Sequence, residues 1–134
     1  MNWTRFALAV FAAGFVSSMT DWLFMGDLLY KQFDKNPEIW RVSGGPDESK
    51  AIAWSSPLPF ITCAAFEFLC VHFRLHSYRS AFEFAAMVWL VAPLPLLVTN
   101  GIWIKLSAPI TASYSIGWLV KLLVAAFFVV LFLG

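Results

Sequence analysis

Four apolar runs dominate the chain, at 4–29, 57–73, 81–104 and 109–133, and one substantial polar stretch, 30–56, separates the first from the second. A bilayer core about 30 Å thick needs about 20 helical residues to cross it, so each run predicts a membrane span. The second is short if it begins at Pro57; a kinked turn from Pro46, with Asp47 and Glu48 at its acidic start, would lengthen it. An even number of spans puts both termini and the 74–79 turn on one side, the near side, and the long loop on the far side. The predicted fold is all-α: a polytopic membrane protein with a single domain over 1–134. Its architecture is an antiparallel four-helix transmembrane bundle with one long polar loop between helices 1 and 2.

Local signals mark the boundaries. Ser80 and Glu83 have the spacing of a capping box, which would start the third span at 81. Pro57 and Pro109 fall where a first helical turn begins and its N–H is unpaired anyway. Pro93 and Pro95 lie mid-span and each removes a backbone hydrogen bond, which predicts a kink. In the long loop, Asn36-Pro37-Glu38 opens a short helix carrying Ile39, Trp40 and Arg41. Trp40 and Arg41 are the expected loop anchor, at the headgroup level where Trp is enriched; plugging the mouth of the bundle is the other reading.

Composition removes the soluble alternatives. Of the 134 residues, 60% are hydrophobic and 13% charged, more apolar surface than a small soluble domain can hide. The lipid bilayer is therefore the expected partner, in a plasma or inner membrane. A net charge of +1 without a basic stripe or recognition motif gives no sign of a nucleic-acid partner, and none is expected. The near side carries Arg5, Arg74 and Arg79 and the far side Lys31, Lys35, Arg41, Lys50 and Lys105. That excess leans towards a cytoplasmic long loop but leaves orientation open. The first apolar run continues into Asp21 and Trp22 with no small-residue cleavage site, which reads as a retained span.

Against this apolar background the charges inside the spans stand out, because each is costly unless it is paired or has a function. Counted from the near side, Asp21 and Lys121 lie about 25 and 20 Å deep. Ala13, Ser17 and Asp21 form one i, i+4 row, and Ser113, Gly117, Lys121 and Ala125 another. Small residues at that spacing let helices approach closely, so the first and fourth spans should be neighbours and Asp21 should pair with Lys121. Trp118, one turn before Lys121, can lay its ring beside the ammonium. Asn100 counts to a similar far-side third, and Asp27 falls on another face, nearer the surface.

On the second span Cys63, Glu67 and Cys70 share one face at i, i+4 and i+7. The cysteines are about 10 Å apart along the helix, which excludes a disulfide between them and a closed tetrahedral metal site. No metal or other cofactor is expected. His72 and His76 read as interfacial histidines, and no hydrolase, phosphate-loop or redox motif is present. The candidate ligand-binding residues are Asp21, Lys121, Asn100, Glu67, Ser17 and Trp118. The first functional reading is a protein, expected to be a homo-oligomer, that binds or transports a small amphipathic or proton-coupled solute. It would do so by exchanging the ion pair for ligand contacts. An intramembrane enzyme acting on a lipid or isoprenoid, with a buried carboxylate as acid or base, is the second. A structural or assembly subunit, in which the pair only sets helix register, is the third.

Overall fold

The computed structural model describes residues 1–24 and 45–134; the expected loop anchors Trp40 and Arg41, and Asp27, lie outside them. The described residues form six helices and no strand: α1 (Trp3–Asp21), α2 (Gly45–Ser55), α3 (Leu58–His72), α4 (Tyr78–Val91), α5 (Pro93–Trp103) and α6 (Ala108–Leu133). Together they make four helical segments long and apolar enough to cross a membrane, Trp3–Phe24, Gly45–His72, Tyr78–Trp103 and Ala108–Leu133. The all-α four-helix bundle expected from the hydrophobic pattern is the fold.

Two segments are broken, each at a Pro-Leu-Pro triplet. Between α2 and α3, Pro57 and Pro59 supply no N–H, and the chain turns at residues 56–57 before Ile61 N–H resumes bonding to the Pro57 carbonyl at 3.1 Å. Between α4 and α5, Ala92 leaves helical geometry (φ −126°, ψ −69°), as the residue before a proline is pushed to do. The expected kink at Pro93 and Pro95 is therefore present. The second segment starts before 57: residues 45–55, expected in the long loop, are helical, and the lengthening from Pro46 with Asp47 and Glu48 in the first turn is the reading that holds. Acids at a helix N-terminus favour that extension. The third segment starts at Tyr78 rather than 81. Ser77 is extended and its side chain accepts from the Ser80 N–H, while Glu83 pairs with Arg79 at 2.9 Å instead of closing a box with Ser80.

The last helix is the hub. α6 packs against α1, α3, α4 and α5, and α1 also packs against α3. Alanines Ala9 and Ala13 on α1, Ala81 and Ala85 on α4, and Ala125 and Ala126 on α6 are buried to 1% exposure or less. Small side chains at these positions let backbones approach, the main source of helix association in lipid. Larger residues such as Phe11 (65% exposed), Phe15 and Met19 face outward. Gly14 marks the tightest approach: a Cβ there would run into the Phe60 ring from α3. We expect Gly14→Ala to destabilise the bundle by about 1–3 kcal/mol through overpacking. Unfolding in detergent followed by tryptophan fluorescence would read this; an unchanged midpoint would mean that Phe60 moves aside freely.

At the near end α3 closes in a Schellman turn. Arg74 N–H bonds to the Val71 carbonyl at 3.0 Å and Leu75 N–H to the Cys70 carbonyl at 2.9 Å, with Arg74 at φ 57°. Glycine is preferred at that left-handed position, which costs other residues about 1–2 kcal/mol.

Candidate functional site

Asp21 closes the regular part of α1, and residues 22–24 continue as a wider π turn. Such turns disturb the regular hydrogen-bond ladder and are frequent at functional sites. The turn sets Phe24 against Gly117, where an added Cβ would meet it at 3.4 Å, and so seats the end of α1 on α6. One turn along α6, Lys121 Nζ lies 2.7 Å from Asp21 Oδ2. The pair expected from the two small-residue rows is therefore formed, with the lysine side chain 6% and the aspartate side chain 19% exposed. Lys121 Nζ also lies 4.4 Å from the centroid of the Trp118 ring, whose negative face favours the ammonium.

A polar row continues from the pair towards the near side. Ser17, one turn before Asp21, sits with its Oγ 3.4 Å from Cys63 Sγ on α3, and both residues are fully buried. The Cys63 thiol is also within electrostatic range of Glu67, Lys121 and Asp21, and Cys70 of Glu67. Glu67 is fully buried, and neither of its carboxyl oxygens has a hydrogen-bond partner among the described residues; Asp21 Oδ1 is in the same condition. Buried polar atoms are nearly always hydrogen-bonded, so three such carboxyl oxygens in one row are unusual. An ammonium, a carboxylate, a hydroxyl, a thiol and a second carboxyl in this row can hold a proton or exchange a charge. Cys63 and Cys70 are free thiols in this arrangement.

Five of the six candidates, Asp21, Lys121, Trp118, Ser17 and Glu67, belong to this row. Asn100 does not. Its neighbour Gly101 lies against Thr111, with an added Cβ 2.6 Å from Thr111 Oγ1. Thr111 is ten residues before Lys121 on α6, about 15 Å along the axis. A straight count from Ser80 already gives Asn100 a depth of about 30 Å, about 10 Å beyond Lys121, and the helix start at Tyr78 carries it further out.

Two features were not expected from the sequence. The Trp89 indole N–H donates to the Ser115 carbonyl at 2.8 Å, tying α4 to α6; an isolated Trp inside an apolar run gives no signal for that. A cavity of about 480 Å³ opens at the near end, where Met1, Arg74 and Leu133 come together. The chain matches no protein-family profile, no curated protein and no solved structure.

Proposed function

We propose that the protein is a multi-pass carrier of a plasma or inner membrane that binds or transports a small proton-coupled or amphipathic solute. The observation that carries this reading is the set of buried carboxyl oxygens without partners beside an ion pair. A pair that only fixed helix register would need neither a second buried carboxyl nor an unbonded oxygen on the first. In the proposed cycle, a proton or a charged solute group displaces one partner of Asp21–Lys121. The released group is then met by the solute, while Trp118 keeps the ammonium beside α6. The row through Ser17, Cys63 and Glu67 supplies the polar atoms by which a proton reaches the pair.

The test uses proteoliposomes loaded with a fluorescent pH indicator and challenged with tetraphenylphosphonium or octyl phosphate, a lipophilic cation and an anionic amphiphile. The expected result is an internal pH change faster than in protein-free vesicles with at least one probe, lost in the Asp21→Asn/Lys121→Gln double variant. Equal rates with and without protein for both probes would refute the reading.

A further inference from the structure

The near-end cavity joins three elements: the start of α1, the turn after α3 and the end of α6. Asn2, Arg5, Arg74 and His76 are its polar lining residues, and Val71, Leu75 and Phe132 are among the apolar ones. Its volume, about 480 Å³, falls in the range that holds a small organic ligand. Among the described residues, the ion pairs found do not include Arg5 or Arg74.

Arg74 makes the arrangement more than a general surface charge. It occupies the left-handed position of the α3 Schellman turn, where glycine would be the less strained choice. Side chains held in sparsely populated backbone regions are a starting point for a functional hypothesis. A strained arginine, a second arginine and an apolar wall in one cavity describe a receptor for an anion that carries a hydrocarbon chain. Guanidinium groups match phosphate oxygens in geometry as well as charge.

We propose that this near-end cavity binds the phosphate headgroup of an anionic amphiphile, with Arg5, Arg74 and His76 on the phosphate and the apolar wall against the first part of the chain. This assignment stands apart from the carrier reading, because it concerns binding in the absence of any gradient. The test is native mass spectrometry of the full chain in neutral dodecyl maltoside micelles titrated with dodecyl phosphate. A one-to-one adduct is expected. Arg74→Gly and Arg5→Gln should each weaken it about tenfold or more, the scale of a charge-assisted bond. Arg74→Gly relieves the turn and should unfold no earlier than the wild type, so its loss of binding would not reflect misfolding. Excess inorganic phosphate should leave the adduct in place. If inorganic phosphate displaces dodecyl phosphate at equal concentration, the site is one for free phosphate and the headgroup assignment falls. The assignment also falls if both variants keep the wild-type adduct.

Discussion

Replacing Lys121 with Met should destabilise the bundle by about 3–5 kcal/mol, the cost of leaving one partner of a buried ion pair without the other. Asp21 would lose the ammonium that stands 2.7 Å from its Oδ2, while its Oδ1 already has no hydrogen-bond partner among the described residues. The lost contact with Trp118 adds about 0.5–2 kcal/mol. The effect should largely vanish in the Asp21→Leu/Lys121→Met double variant, because an apolar pair of similar volume needs no desolvation and is often as stable as the ions it replaces. Denaturant titration in micelles on wild type, both single variants and the double variant checks this as a cycle. Additive losses would show that the two residues do not stabilise one another.

Glu67→Met should act in the opposite direction. The wild-type carboxyl is fully buried, with both oxygens unpaired among the described residues, and Cys63, Cys70 and the alanines of α1 and α6 surround its stretch of the core. Leaving a buried polar group unsatisfied costs about 1–3 kcal/mol, and Met nearly conserves volume and adapts its shape, so the variant should be more stable by about that amount. A gain of this sign is what a residue kept for function predicts, since stability alone would favour the apolar side chain. The same micelle titration reads it, and a lower midpoint for Glu67→Met would mean that the carboxyl has a stabilising partner.

These two residues also show how far the sequence carries. The α1–α6 contact and the Asp21–Lys121 pair were legible because depth along a straight helix is simple arithmetic and because small residues recur every four positions on both helices. Glu67 could be put on the face of Cys63 and Cys70 by its spacing. Its lack of a partner could not be read, since that depends on what α1 and α6 present opposite it. Asn100 was grouped with the pair because all three count to the far-side third, a window too coarse to separate about 30 Å for Asn100 from about 20 Å for Lys121.

The start of the second segment was legible only as an alternative to Pro57, through Pro46, Asp47 and Glu48. Asp47, Glu48 and Lys50 give residues 45–55 the composition of a loop, and α2 buries none of its residues, so no apolar stripe announces it. The Pro-Leu-Pro triplets at 57–59 and 93–95 did hold a readable signal, since both mark a break between two helices of one segment. The near-end cavity was beyond reach. Arg5, Arg74 and Phe132 are scattered along the chain, and only the closing of α1, α3 and α6 around one end brings them together.

In the proposed function the buried polar row serves exchange of charge rather than helix register. The most direct measurement is the proteoliposome pH assay on Glu67→Met, run beside its unfolding curve. The expected variant is folded and more stable than wild type but no longer moves protons with either probe. A more stable variant that exchanges protons at the wild-type rate would contradict this reading.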